Sequence, residues 1–336
     1  MIVWWLLGVV FAISCGLTLV LRRYALAKSL MDIPNERSSH SVPTPRGGGV
    51  AIVVACSLAL PVLGGMGYLG GASLLGVLGG GLLIAIIGFA DDHGHIDAKW
   101  RLLGHFIAAA WTLYWLNGLA PIQLFGERVD LSVIGSVLAA FYLVWMLNLY
   151  NFMDGIDGLA SAEAICACLG MSLVYWCFDA TSLIWGPLVL IGAVAGFLCW
   201  NFPPARIFMG DAGSGFLGFI LGALALESAW VRPELFWCWI ILLGVFIVDA
   251  TWTLMRRLLR GEKVYQAHRS HAYQHASRRY QSHLVVASLV VLINLVWLLP
   301  IALLVGAGWL GGGLGCLIAF VPLAVLAWKF EAGVAG

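Results

Sequence analysis

The strongest constraint on the fold is a succession of apolar runs, each close to the length of a membrane span. A helix needs about 20 mostly apolar residues to cross a bilayer, and eleven runs in this 336-residue chain reach or approach that length. Only 10% of the residues are charged, against about 25% in soluble domains. We therefore expect a single all-α domain over residues 1–336, a polytopic membrane helix bundle with about 11 (10 or 11) transmembrane helices. The runs lie near residues 2–21, 48–66, 70–90, 102–117, 132–149, 159–177, 183–200, 213–230, 235–255, 284–304 and 308–328.

The basic residues are divided unequally between the connecting loops. If the N-terminus lies outside, sixteen of the eighteen Lys and Arg residues fall on the inner side, and only Arg128 and Arg232 fall outside. Cytoplasmic loops of membrane proteins carry such an excess of positive charge. The first run lacks a basic leader and a cleavage site and is followed by Arg22 and Arg23, so we expect a retained helix. The pattern predicts an outside N-terminus and a cytoplasmic C-terminus.

Composition argues against two classes of function. The eight cysteines lie within or at the ends of apolar runs and form no C-x-x-C pair, so neither a zinc site nor a disulfide framework is expected. The net charge is only +1, and the basic residues are local to the inner loops. No binding of nucleic acid is indicated. We expect membrane lipid to surround the protein.

Acidic side chains collect in three short inner loops rather than inside the apolar runs. A transporter generally places ionisable groups near the bilayer midplane, whereas here Asp249, His105 and Glu227 lie near helix ends. The concentration of acids suggests one site at the inner interface and favours an enzyme. A lipid or solute transporter with gating loops and an inactive scaffold protein are the alternatives. The acids are Asp91, Asp92, Asp154, Asp157 and Asp211.

The segment "NLYNFMDGIDGL" carries two amides and two carboxylates at a spacing of three. If the preceding helix continues, these side chains project along one face and can bind the donors and acceptors of a polar ligand. The alternative is that Asn and Asp, with the neighbouring glycines, cap and end a helix. The residues are Asn148, Asn151, Asp154 and Asp157.

The segment "NFPPARIFMGDAGSG" places Asp211 between glycines just before an apolar helix. Glycines let a ligand approach the backbone closely, and the N–H groups at a helix start favour anions such as phosphate. An oxygen-ligated cation such as Mg²⁺ would suit Asp211 together with Asp91 or Asp92. The alternative is a simple turn at the start of a helix.

Two further inner loops carry groups that suit phosphate. "HRSH" places His268, Arg269 and His271 within one helical turn, which combines a guanidinium fork with two candidate proton carriers. The alternative is a solvated, positively charged inner loop that touches lipid headgroups. The first inner loop, "DIPNERSSHSVPTPRGGG", offers four polar residues to an anionic substrate, and its three glycines permit close helix packing. These four are Arg37, His40, Thr44 and Arg46.

Five motifs in this order resemble those of the polyprenyl-phosphate N-acetylhexosamine-1-phosphate transferase family. The resemblance covers roughly residues 1–330. The first and last motifs are most similar to the O-antigen-initiating branch, which uses UDP-activated deoxy sugars such as N-acetylfucosamine, whereas "HRSH" replaces the consecutive histidines of the peptidoglycan branch. The motifs are "DIPNERSSHSVPTPRGGG", "GFADDHGHIDAKWR", "NLYNFMDGIDGLA", "NFPPARIFMGDAGSGFLG" and "DATWTLMRRLLRGEKVYQAHRSH".

The resemblance implies a reaction, its partners and a location. Members of the family transfer a sugar 1-phosphate from a UDP-sugar to undecaprenyl phosphate at the cytoplasmic face of the bacterial inner membrane. They release UMP and require Mg²⁺ or Mn²⁺. We therefore expect undecaprenyl phosphate, a UDP-N-acetylhexosamine and Mg²⁺ as partners, in the synthesis of O-antigen or another surface polysaccharide. Relatives are often dimers, so a homodimer is compatible with the resemblance.

The resemblance also implies roles for individual residues. Asp211 matches the principal metal ligand, which we expect to act with Asp92, while Asp91 or Asp92 deprotonates or orients the lipid phosphate. The residues that resemble the uridine and sugar pocket are Asn148, Asn151, Asp154, Asp157, Asn201 and Phe208. Those that resemble pyrophosphate binders are Lys99, Arg101, His268, Arg269 and His271.

Overall fold

The computed structural model describes residues 2–34, 42–94, 96–124, 127–262 and 268–334. Arg37 and His40 of the first inner loop lie outside these ranges. Five-residue π-helical segments, Leu74–Leu78 and Asn294–Leu298, join α3 to α4 and α13 to α14. The helices are α1 Ile2–Ala27, α2 Val50–Gly65, α3 Gly71–Ser73, α4 Gly79–His93, α5 Ala98–Trp115, α6 Ser132–Met153, α7 Leu159–Cys177, α8 Trp185–Asn201, α9 Asp211–Val231, α10 Pro233–Leu242, α11 Gly244–Leu259, α12 Ala272–Tyr280, α13 His283–Ile293, α14 Leu299–Gly306 and α15 Gly312–Lys329.

The helices confirm an all-α, multi-pass membrane protein, because the chain is 77% helical and most helices are long and apolar. In the described ranges, eight helical spans are long and apolar enough to cross a bilayer, and the pair α10 and α11 would make a ninth. These two helices are bent by 69° relative to each other, so the predicted run at 235–255 forms either a broken span or a re-entrant loop.

The predicted count of about 11 is not confirmed and stays a prediction. Two of the predicted runs form helices that fall short of the length or hydropathy of a span. Helix α2 has 16 residues and contains Pro61. Helix α5 begins with Lys99, Trp100 and Arg101, whose polarity lowers the mean hydropathy of its first turn.

Two short antiparallel hairpins interrupt the otherwise helical fold. Strand β1 (Met31–Asp32) pairs with β2 (Thr44–Pro45), and β3 (Ile122–Leu124) pairs with β4 (Glu127–Val129). The first hairpin lies between α1 and α2, and the second lies between α5 and α6.

Helix α9 is the central helix that positions the site. It packs against α4, α6, α2 and α10. In its 18-residue apolar stretch, 83% of the residues are buried. Glycines allow this close packing, since a Cβ added to Gly88 of α4 would lie 2.6 Å from the backbone of Asp211 and Ala212. A Cβ on Gly49 would lie 2.5 Å from the Cα of Gly213. The start of α9 is therefore held directly against α4 and the start of α2.

Candidate active site

The ends of α4 and α6 meet the start of α9 at one end of the bundle, which we call the site end. A cavity of about 230 Å³ opens there between α4, α5, α6 and α9. We call it the carboxylate cavity. The predicted site residues that line it are Asp91, Arg101, Asn148, Asn151 and Asp211.

Asp92 is the buried member of the acid pair that ends α4. Its Oδ1 accepts a hydrogen bond from the backbone N–H of Asp211, and its Oδ2 accepts one from Ala212, both at 3.2 Å. The residue is only 8% exposed. Because the first N–H groups of a helix have no partner within it, Asp92 satisfies two of them and fixes the start of α9 against α4.

Asp91 turns toward the cavity instead. One guanidinium nitrogen of Arg101 pairs with Asp91 Oδ2 and lies 3.8 Å from Asp211 Oδ2. The Asp91 side chain is 10% exposed and the Asp211 side chain is 38% exposed, so Asp211 is the more accessible of the two acids. With both acids ionised, one arginine compensates two carboxylates, and the group keeps a net negative charge.

The segment that follows the first hairpin packs on the loop before α9. The backbone N–H of Gly48 donates to Phe208 O at 2.9 Å, and the N–H of Phe208 donates to Pro45 O at 2.8 Å. Nearby, Arg46 donates from Nη2 to the backbone oxygen of Asp92 at 2.6 Å. Gly210 has φ +78°, and a Cβ there would lie 2.9 Å from Asp92 Oδ2, so this position needs glycine.

The four polar residues of "NLYNFMDGIDGL" do not lie on one helical face, and this prediction was wrong. Helix α6 ends at Met153, so Asn148 and Asn151 face the carboxylate cavity while Asp154 and Asp157 follow in a turn. Asn148 donates to Val144 O at 2.7 Å, and Asn151 Oδ1 accepts from Ser214 Oγ at 2.8 Å. A spacing of three places side chains on one face only while the helix continues, and this helix ends at Met153, just before Gly155 and Gly158.

Asp154 and Asp157 lie in different surroundings. Burial, followed by the nearby carboxylates of Asp211, Asp157 and Asp92, raises the pKa of Asp154 well above its ordinary value. Asp157 accepts a hydrogen bond at Oδ2 from the Ala205 N–H at 3.0 Å, and its Oδ2 lies 3.2 Å from His283 Nδ1.

A second cavity, of about 650 Å³, lies between the first hairpin, the loop before α9 and helix α12. We call it the phosphate-side cavity because two arginines line it. Arg269 and Arg278 face it together with three of the predicted residues. Its size is sufficient for a ligand such as a nucleotide. The three residues are Thr44, Asp157 and Phe208.

His268 and His271 stack on each other, with ring centroids 4.9 Å apart. Burial, then the neighbouring His271 and Arg257, lowers the pKa of His268 to about 3, so His268 is neutral near pH 7. Its Nδ1 lies 2.9 Å from Ser270 Oγ. His271 is 3% exposed and stacks on Phe152, which lines the carboxylate cavity. The Phe152 ring therefore contacts His271 and also forms part of the wall of the carboxylate cavity.

Lys99 and Asn201 are among the predicted residues that line neither cavity. Lys99 has a side chain that is 72% exposed and lies 4.0 Å from Asp97 Oδ2. Asn201 is buried, and its amide accepts from the Gly158 N–H and donates to Ile207 O, both at 3.0 Å. Asn201 therefore joins two loops of the site, and its substrate-binding role stays a prediction.

The oxygen donors of the carboxylate cavity fit a hard cation. In the described ranges, no group of three or more His, Cys, Asp or Glu side chains could hold a metal by itself. Mg²⁺, however, commonly takes one or two carboxylates and completes its shell with water and substrate phosphates. Asp91 and Asp211 both line the carboxylate cavity, and one nitrogen of Arg101 contacts both carboxylates, whereas Asp92 does not line the cavity and its two oxygens accept from N–H groups of α9. Asp91 is thus better placed than Asp92 as the second carboxylate.

Sequence reasoning missed several residues that shape the site. Nothing in the sequence distinguishes Phe152 from the other aromatic residues, and Asp249 is predicted only to lie near a helix end. Asp249 contacts the start of α12, 22 residues later, a pairing for which no local spacing gives a signal. Outside the site, Glu163 pairs with Asn294, and its charge type inside an apolar run is a usable signal.

Comparison with known proteins gives matches across most of the chain. The family model described as glycosyl transferase family 4 matches residues 74–229. A probable undecaprenyl-phosphate N-acetylglucosaminyl 1-phosphate transferase of Bacillus subtilis is 29% identical over 290 residues, which are 84% of this chain and 79% of the relative. A decaprenyl-phosphate N-acetylglucosaminephosphotransferase of Mycobacterium leprae is 30% identical over 77% of this chain and 73% of the relative. A phospho-N-acetylmuramoyl-pentapeptide-transferase of Streptococcus pyogenes serotype M18 is 31% identical over 67% and 69%.

Proposed function

Because this chain belongs to the polyprenyl-phosphate N-acetylhexosamine-1-phosphate transferase family, we propose that it transfers an N-acetylhexosamine 1-phosphate from a UDP-sugar to undecaprenyl phosphate. An oxygen of the lipid phosphate forms a bond to the sugar-bearing phosphorus. The bond from that phosphorus to the oxygen bridging to UMP breaks, and UMP leaves. The product is a lipid-linked sugar pyrophosphate.

The observation that carries the proposal is the convergence of Asp91, Asp211 and Arg101 on one cavity at the site end. A lipid phosphate and a nucleotide sugar are both anionic, so their approach requires positive charge between them. Arg101 supplies one such charge, and the exposed carboxylate of Asp211 can hold another as a bound cation. Mg²⁺ or Mn²⁺, when bound, would neutralise phosphate charge and polarise the oxygens of the donor.

The protein's own groups would divide the remaining work. Asp211 and Asp91 would hold the cation, with Asp92 fixing the backbone of α9 behind them. Asp91 is also placed to accept a proton from, or to orient, the acceptor phosphate. Arg269, with Arg278 beside it, would bind donor phosphates, and the amides of Asn148 and Asn151 would select polar groups of the donor.

The proposed location follows from the distribution of charge. With the N-terminus outside, sixteen of the eighteen Lys and Arg residues fall in segments predicted to lie on the inner side, together with the acids of the site, which supports a cytoplasmic site, a cytoplasmic C-terminus and a periplasmic N-terminus in the bacterial inner membrane. The whole chain would then act as one transferase domain. Homodimer formation stays a prediction. Family membership favours the transferase over a transporter.

The identity of the transferred sugar is a more specific part of the proposal. The residues of the first and last motifs support a deoxy-N-acetylhexosamine such as N-acetylfucosamine and a role in initiating O-antigen. By contrast, two of the relatives above are named for N-acetylglucosamine. A panel of UDP-sugars offered to membranes that contain the protein, with the lipid product identified by its mass, tests the proposal. A product from a deoxy sugar alone would support that donor. Absence of any lipid-linked product from every UDP-sugar would refute the transferase assignment.

A further inference from the structure

Asp249 of α11 contacts the last residue of the "HRSH" segment and the start of α12. Its Oδ1 accepts from the Ala272 N–H at 2.9 Å, and its Oδ2 accepts from the Tyr273 N–H at 3.0 Å. Its Oδ1 also lies 3.3 Å from His271 Nδ1. Thr253 donates to the same oxygen at 3.2 Å. One carboxylate therefore holds both the start of α12 and the ring of His271.

The pair is buried, so its geometry is well defined. Asp249 is 5% exposed and His271 is 3% exposed. A carboxylate beside Nδ1 keeps a proton on that nitrogen and so determines which tautomer is present. The ring also takes part in the capping box with Gln274 at the start of α12. Asp249 contacts Nδ1, so the other nitrogen, Nε2, is the one that can act on a ligand.

Contacts of α12 connect this pair to the carboxylate cavity. Tyr273 donates its hydroxyl proton to Phe152 O at 2.9 Å, and the Phe152 ring stacks on His271. Gly155, in the turn after α6, packs directly on Tyr273 and Gln274. Asp249 thus acts on a histidine that packs against the wall of the cavity.

We propose that Asp249 is a positioning residue of the transferase, which holds His271 by Nδ1 and presents Nε2 to the phosphates of the nucleotide sugar. The inference rests on the proposed function. A His271 ring with protons on both nitrogens donates from Nδ1 to Asp249 and from Nε2 to a phosphate oxygen. The contact with Asp249 keeps the ring in place and balances its charge.

The test separates this role from simple capping of α12. Asp249→Asn removes the negative charge beside Nδ1, so the ring that carries protons on both nitrogens, and donates from Nε2 to phosphate, is no longer favoured. Ala272→Pro removes only one capping hydrogen bond, at a first-turn position where proline is tolerated, and His271 already has ψ 152°, as a residue before proline requires. Asp130→Asn is a matched control, because Asp130 caps the Ser132 N–H at 2.7 Å outside the site.

We expect purified Asp249→Asn to lose about 10–100-fold in kcat, the range for carboxylate partners of functional histidines, while Ala272→Pro and Asp130→Asn stay within about twofold of wild type. In a His271→Gln background, Asp249→Asn should cause no further loss in kcat, because each change already removes the contact between Asp249 and the His271 ring. Wild-type kcat in folded Asp249→Asn, or fully additive losses, would overturn the inference.

Two further outcomes keep the test decisive. If Asp249→Asn does not fold, His271→Asn decides, because its amide can replace Nδ1 beside Asp249 but cannot reach the position of Nε2. Loss of kcat in His271→Asn supports the inference, and wild-type kcat overturns it. Failure of the wild-type protein to release UMP from any UDP-sugar would refute the proposed function itself, and that result is distinct from wild-type activity in the variants.

Discussion

The Asp92 carboxylate accepts a hydrogen bond from the backbone N–H of Asp211 at 3.2 Å, which joins the end of one helix to the start of another. The adjacent Asp91 has a different environment, since it pairs with Arg101 in the cavity. Two neighbouring acids of the same type therefore have separable roles. Asp92 supports the structure on which the site is built, and Asp91 belongs to the site.

We expect Asp92→Asn to lower stability more than Asp91→Asn does. An amide at position 92 can accept from only one of the two N–H groups, and its own N–H₂ faces the other. Loss of a cap costs about 0.5–2 kcal/mol, and a buried group left unpaired costs about 1–3 kcal/mol. Thermal unfolding of both variants in the same detergent measures the difference. Equal midpoints would contradict the division of roles.

Gly88→Ala should disturb the site without removing any of its polar groups. The new Cβ would lie 2.6 Å from the backbone of Asp211 and Ala212, which forces α4 and α9 apart and costs about 1–3 kcal/mol. Gly16→Ala in α1 is the control, since a Cβ there has nothing within 4 Å. UMP release and unfolding midpoint should fall for Gly88→Ala and stay unchanged for Gly16→Ala. Normal turnover in Gly88→Ala would show that the contact is not required.

Stability should fall in acid partly because of His268. Its pKa is about 3 when folded, lowered by burial and by His271 and Arg257, against about 6.5 when unfolded. The unfolded chain therefore binds a proton below pH 6.5 that the folded chain does not bind, and stability decreases from pH 6.5 toward pH 3. His268→Gln should lose less stability than wild type between pH 7 and pH 5. Identical changes in unfolding midpoint would contradict this assignment.

A buried pair in the membrane region, Glu163 and Asn294, should contribute to stability rather than to activity. Asn294 donates from Nδ2 to Glu163 Oε2 at 2.6 Å, and both residues are at most 1% exposed. Glu163→Leu would leave Asn294 Nδ2 with only its hydrogen bond to Val290 O at 3.2 Å and cost about 1–3 kcal/mol, whereas replacing both partners by Leu is nearly neutral. Unfolding midpoints should therefore recover in the double variant. A double variant less stable than either single one would contradict this account.

The sequence predicts that several of these polar residues meet, but not what each of them contacts. Asp91, Asp211 and Arg101 stand out because charged residues are rare in so apolar a chain, and the structure brings them to one cavity. The capping by Asp92 could not be predicted, because its partner lies 119 residues away along the chain. The spacing of three in "NLYNFMDGIDGL" was misleading, since the glycines after Met153 end the helix. Membrane spans followed from hydropathy, whereas the break between α10 and α11 depends on tertiary packing.

Asp211 is the residue on which activity of the carboxylate cavity should depend most directly, and one measurement tests its role. Purified wild type and Asp211→Asn are compared for UMP release from a UDP-sugar that the panel identifies, with undecaprenyl phosphate and Mg²⁺ present. Asp97→Asn is the control, because the Asp97 side chain is 66% exposed and pairs only loosely with Lys99. We expect Asp97→Asn to retain turnover and Asp211→Asn to lose about 10²–10³-fold in kcat with its unfolding midpoint preserved. Folded Asp211→Asn that releases UMP at the wild-type rate would contradict the assignment of the carboxylate cavity as the active site.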